Sequence, residues 1–98
     1  MRGYILKSEH FLNQAQALVR GQRQKDYGDK VDNHINIAKL WSAYKDVDIT
    51  PHDVAIMMAL LKIARTKLGS VSMDTYIDMA AYGAIAGEIK FKNSKETK

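Results

Sequence analysis

An all-α fold, a bundle of four helices, is what this chain predicts, and three observations carry it. Its 98 residues contain one Pro. Apolar/polar alternation of the kind a strand needs is scarce. Apolar residues recur instead at helical spacing through most of the sequence.

The first helix is expected to start near Ser8, because Phe11, Leu12, Ala15, Leu18 and Val19 follow i, i+3, i+4, i+7, i+8 spacing. Gly21 is expected to end it. Residues 22–30 are polar and carry Tyr27-Gly28-Asp29, a loop signal. A second helix then starts between Asp29 and Asp32, either of which can cap it. Its apolar side is read as Ile35, Ile37, Ala38, Trp41 and Tyr44. Residues 46–49 form a linker to Thr50-Pro51, which suits an N-cap followed by the first helical residue. The third helix is expected to run to about Leu68, with Gly69 as its stop. Ser72 can cap a fourth helix that continues to about Lys90.

The third helix is unusual. From Val54 to Leu61 it is apolar on nearly every side. Such a helix has to be buried all round. Ninety-eight residues make one domain with a modest core, so this helix is expected to be either the central rod of the bundle or part of a subunit interface. A homo-oligomer is the expected state. The fourth helix divides into two faces: Asp74, Asp78, Ala81, Ile85 and Glu88 on one, Tyr76, Met79, Ala80, Gly83 and Gly87 on the other. The two glycines cost helix propensity, which predicts close approach of another helix, within the chain or between chains.

Composition excludes several function classes. There is no cysteine, hence no disulfide framework and no thiolate metal site. The N-terminus lacks a signal-peptide apolar segment, and no apolar run is long enough to span a bilayer. No membrane partner is expected, and the cytoplasm is the expected location. The net charge of +4 suggests nucleic acid, but residues 90–98 alone hold four Lys and one Glu, a net of +3. Residues 1–89, the helical domain, net only +1, so the basicity belongs to a solvated tail and nucleic acid is not the expected partner.

Several groups are candidates for chemistry. Asp53 can form a capping box with Thr50 or hold a ligand or Mg²⁺ at the core edge. Asp74 and Asp78 lie four apart on one face and repel unless a cation joins them. Asp74 is explained by the helix macrodipole, whereas Asp78, a turn later, is not. Hard oxygen ligands on two helices are what Mg²⁺ requires. Lys62 and Arg65 suit a phosphate, or else compensate the helix C-terminus. Nine residues separate Lys62 from Asp53, half a turn out of phase, so a pocket shared between subunits suits these charges better than one intrachain site. Arg23, Lys25, Asp26, Tyr27, Asn33 and His34 can clasp a nucleotide, with Arg on phosphate, Tyr stacked on the base and Asn on a base edge or ribose. Tyr82 completes the ligand-binding set of Arg23, Tyr27, Asn33, Lys62, Arg65 and Tyr82. Trp41 reads as core. His10, His34 and His52 lack metal-ligand spacing and read as surface residues. No phosphate-cradling Gly-rich loop, zinc pattern or nucleophile elbow occurs.

The segments RQKDYGD, NHINIAKLWSAY, ITPHDVAIMMALLKIAR and DTYIDMAAYGAIAGE together resemble a family of small, mostly phage-encoded helical proteins without an assigned function. That family is distantly similar to the MazG-like all-α nucleoside triphosphate pyrophosphohydrolases, which are oligomeric helical bundles. The resemblance implies Mg²⁺ on Asp53 and Asp78, with Asp74 nearby, and a phosphate contact from Lys62 or Arg65. The MazG-like pattern uses paired acids on each of two helices. Here the turn after Asp53 offers Ile56 and Met57 instead. The expectation is therefore binding of a nucleotide or cyclic nucleotide without cleavage, as a phage sponge for a host defence signal in the infected cytoplasm. The alternatives are a Mg²⁺-dependent pyrophosphohydrolase and a non-catalytic interaction protein.

Overall fold

A computed structural model describes residues 6–20, 29–69 and 71–92. It contains four α-helices and, among the described residues, no strand: α1 (Ser8–Val19), α2 (Lys30–Lys45), α3 (Pro51–Arg65) and α4 (Met73–Phe91). No described helix is long and apolar enough to cross a membrane.

The helix starts follow local chemistry. Asp29 caps α2, its carboxylate accepting from the Val31 and Asp32 backbone N–H groups at 2.7 and 3.2 Å. Thr50 and Asp53 form a reciprocal capping box at α3, each bond 3.0 Å long, with Pro51 at the first helical position. At α4 the Thr75 hydroxyl accepts from the Ser72 backbone N–H at 3.4 Å. Between α2 and α3 the chain turns at Asp46, which adopts the left-handed conformation with φ +57°. Ser42 then clamps the linker, its hydroxyl accepting from the Ile49 N–H at 2.8 Å and donating to the Ile49 carbonyl at 3.1 Å. Gly69, at φ +101°, follows the end of α3, where a residue with a Cβ would be strained. The expected stop at Gly21 lies outside the described residues.

The packing centre is α4, not α3. α4 packs most extensively against α3, then against α1, and touches α2, while α3 also packs against α2. Two small apolar clusters line α4. Ala15, Ile77 and Ala81 join α1 to α4, and Ala55, Ile85 and Ala86 join α3 to α4. Val19 packs against both. Ala at these contacts brings helix axes close, so side chains of modest volume suffice to fill the seams.

Two expectations need correction, and a third is narrowed. α3 is not buried all round: Val54 and Ala55 are fully buried, but Ile56, Met57, Leu60, Leu61 and Ile63 are exposed. The described residues supply neighbours for one side of this helix only. Ile35 and Tyr44 do not belong to the packed side of α2 and are exposed, because that side is set by Val31, His34 and Ala38, with half-buried Trp41 one turn on. Among the described residues Gly83 and Gly87 have no close neighbour within the chain, which leaves of that expectation only an approach between chains. A Cβ at either would meet nothing beyond its own helix within 4 Å.

Candidate functional site

The start of α2 faces α4 across a short gap. Lys30, in the first helical position after the Asp29 cap, reaches Glu88 of α4 at 3.4 Å. One turn later His34 turns inward, because it shares the packed side with Val31 and Ala38. His34 is 5% exposed, and its ring lies 6.2 Å from that of Tyr82 on α4. The expectation that His34 is a surface residue is thus wrong. His10 and His52 are half-buried.

The tautomer of a neutral His34 follows from its partners. Nδ1 is 2.7 Å from the Lys30 carbonyl oxygen. A carbonyl only accepts, so Nδ1 carries the proton and donates. In the neutral ring Nε2 is then a lone-pair acceptor, and this atom is buried with no hydrogen-bond partner among the described residues. An unmatched buried polar atom is rare and costs stability.

His34 forms part of the wall of a cleft of about 290 Å³ between α1, α2 and α4. Leu18, Val19, Ala81 and Ile85 give it an apolar floor, and Lys30, Asn33, Asp78 and Tyr82 supply its polar groups. An apolar floor with a few convergent polar groups is the usual form of a small-molecule site, and the volume lies near the lower end of the range of about 300–1,000 Å³. The amide N–H groups of Val31 and Asp32 at the α2 N-terminus are taken by Asp29, so a cleft anion would have to rely on Lys30. Those same backbone bonds, Asp32 first and Val31 second, hold the Asp29 carboxyl below its ordinary 3.8.

The nine residues expected to hold ligand or metal divide sharply. Asn33, Asp78 and Tyr82 line the cleft together. Lys62 meets the cleft through Asp78, its ammonium 3.2 Å from the Asp78 carboxylate. Arg65 is exposed in the last turn of α3 and does not line the cleft. Arg23 and Tyr27 lie outside the described residues. Asp53 is exposed and engaged with Thr50, whose backbone N–H first and hydroxyl second hold its carboxyl below the ordinary 3.8. Asp74 is exposed in the first turn of α4. Nine residues of helix, about 13 Å of rise, separate Asp53 from the Lys62 that pairs with Asp78. The three acids do not converge, and among the described residues no group of three or more His, Asp or Glu side chains is placed to hold a metal.

Residues 10–90 match the family model described as Domain of unknown function (DUF6378). The chain belongs to this family. It is 49% identical over 75 residues to the Gene 55 protein of Mycobacterium phage L5, covering 76% of this chain and 48% of the relative. It is 42% identical over 82 residues to the Gene 55 protein of Mycobacterium phage D29, covering 84% of this chain and 54% of the relative. The chain spans about half the length of these curated phage relatives. No solved structure matches it. The DUF6378 match contains the whole cleft, from Leu18 to Ile85.

Of the polar cleft residues, the sequence did not single out Lys30, and it placed His34 in a nucleotide-clasping segment but at the surface. His34 carried a readable signal, since it falls one turn from both Val31 and Ala38, on the packed side of α2. Lys30 carried none, because its place depends on how α2 sits against α4.

Proposed function

We propose that the cleft binds a nucleotide-like phosphate ligand and holds it without cleaving it. The observation that carries this reading is the buried Nε2 of His34, an acceptor without a donor, in the wall of a cleft that also contains Lys30, Asn33 and Tyr82. A hydroxyl or base N–H of the ligand supplies the missing donor. The phosphate takes the Lys30 ammonium from Glu88, an exposed pairing worth little in water. Asn33 reads a base or sugar edge with its amide, and Tyr82 offers a ring face for stacking.

The placement of the acids favours retention over hydrolysis. Cleavage of a phosphoanhydride at a multi-metal centre needs several converging oxygen ligands. Asp78 is a single carboxylate already joined to Lys62, and Asp53 closes a helix end. These residues do not fit a resident Mg²⁺ centre, and no step here is assigned to one. With phage proteins as relatives, the reading becomes that of a sponge, a protein that sequesters a nucleotide or cyclic-nucleotide signal of the infected bacterium.

Isothermal titration against a panel of nucleotides and cyclic nucleotides, with and without Mg²⁺, followed by chromatography of the recovered ligand, tests this. Saturable binding is expected, with the ligand recovered intact. Lys30→Ala and His34→Gln should each weaken binding at least about tenfold, as loss of a charged or buried hydrogen bond does, while Arg65→Ala leaves it unchanged. Turnover abolished by Asp78→Ala would replace the sponge with the hydrolase. No binding to any member of the panel would remove the ligand reading.

A further inference from the structure

The outward side of α3 is an apolar stripe opposite the buried pair Val54 and Ala55. Ile56, Met57, Leu60 and Ile63 lie along it, all exposed, with Leu60 at its centre and 55% exposed. No charged residue occurs between Val54 and Leu61. Stripes of this kind on otherwise well-charged proteins mark contact surfaces.

The order of residues along the stripe identifies the occupant. Met57 and Ile63 lie three residues to either side of Leu60, and Ile56 and Ala64 lie four to either side. Asp53, in the first turn of α3, and Lys67, two residues past its end, lie seven to either side, and both are exposed. The stripe is thus apolar in the middle, with an acid in the first turn of the helix and a base just past its end. Turned end for end, it is complementary to itself in shape and charge. An isologous two-fold interface requires this.

We infer that a second copy of this chain covers the stripe, with α3 packed antiparallel against α3 about an axis at Leu60. Met57 then meets the partner's Ile63, Ile56 meets the partner's Ala64, and Asp53 faces the partner's Lys67. The apolar residues supply the affinity. The two end pairs, being exposed, fix register and direction rather than strength. The cleft takes no residue from α3, so this interface stands or falls independently of the ligand.

The test uses the full chain. Sedimentation equilibrium at micromolar concentration is expected to give a dimer, and Leu60→Glu to weaken it at least about tenfold with helical circular dichroism retained, the size of effect a central interface residue has. Lys67→Asp should weaken it by less. The chain has no cysteine, so a Leu60→Cys variant can form a disulfide only between copies. Oxidation should yield a covalent dimer, whereas Lys39→Cys, on the exposed side of α2, should not. This decides the question even where Leu60→Glu does not fold. A folded wild-type monomer, or a dimer that Leu60→Glu leaves intact and Leu60→Cys does not cross-link, overturns the inference.

Discussion

The two ends of α3 use a carboxylate in opposite ways. At the N-terminal end Asp53 bonds to Thr50, three residues away, and the pair closes the helix start from within a single turn. At the C-terminal end Lys62 finds Asp78, sixteen residues on and in a different helix. The first contact exists wherever α3 exists. The second exists only because α3 and α4 pack through Ala55, Ile85 and Ala86. The first lies in water, and the second is half-buried, with the Lys62 side chain 18% exposed. One end is governed by helix-terminus chemistry, the other by tertiary placement, so perturbations should separate them.

The largest effect is expected at the seam that makes the second contact possible. Ala55 has no exposed surface, and Ala55→Leu should overpack the α3–α4 contact and cost about 1–3 kcal/mol in urea unfolding. The Thr50–Asp53 box should survive it. Equal loss of the Thr50–Asp53 bonds, read from the Asp53 carboxyl shift by NMR, would mean the two ends are coupled.

Next comes the ion pair. Asp78→Ala leaves the Lys62 ammonium half-buried without its partner, and should cost roughly 1–2 kcal/mol, between the exposed and the fully buried cases. Adding Lys62→Met should recover most of that loss, because a matched apolar replacement removes the stranded charge. A double variant as unstable as the sum of the singles would show that the pair does not act as a unit.

Thr50→Ala removes one bond of the capping box and should cost about 1 kcal/mol, with helix fraying confined to the start of α3 in hydrogen exchange. Protection lost equally at Lys62 would contradict a purely local role.

The smallest effect is that of acid on the first contact. The Asp53 carboxyl titrates below its ordinary 3.8 in the folded chain because Thr50 bonds the ionised form, and Asp29 behaves alike through Asp32 and Val31. A depressed folded value means that this stability is present above pH 3.8 and is lost as pH falls through the lower, folded value. Thermal unfolding followed downward from pH 5 should show the loss beginning below about pH 4, with a shallower slope in Asp53→Asn. A loss that begins near neutrality would point to other groups.

Much of the fold was legible in advance because helix ends are local. Asp29, Thr50 and Ser72 each stand one residue before an observed helix start, since the bonds that close those starts span three residues or fewer; Ser8 opens α1, where Lys7 is the N-cap and no side chain closes the start. Thr50-Pro51-Asp53 could be read as a box from its spacing alone. Side-chain partners were less legible. Asp53 and Asp78 looked like two halves of one metal site, because each was a carboxylate on an otherwise apolar face, but helix phase does not show how two helices are displaced along each other. His34 looked like a polar residue of a polar segment, and its burial depended on α2 presenting the Val31–Ala38 side to the rest of the chain. The all-round apolarity of α3 was read as a demand for cover, by the bundle or by a second subunit, but within the chain α4, with Ala81 and Ala86 in its seams, took the centre instead.

By itself the sequence determined the helices, their caps and the surplus of apolar surface on α3, because each rests on residues within a turn or two of one another. Only the tertiary structure decided that Asp78 answers Lys62 rather than Asp53, and that His34 meets Tyr82 at a cleft between α1, α2 and α4. It also decided which side of α3 is left outward. Those outcomes depend on the relative axial shift and rotation of whole helices, which are set by the summed packing of small side chains at the seams and are not encoded at any one position.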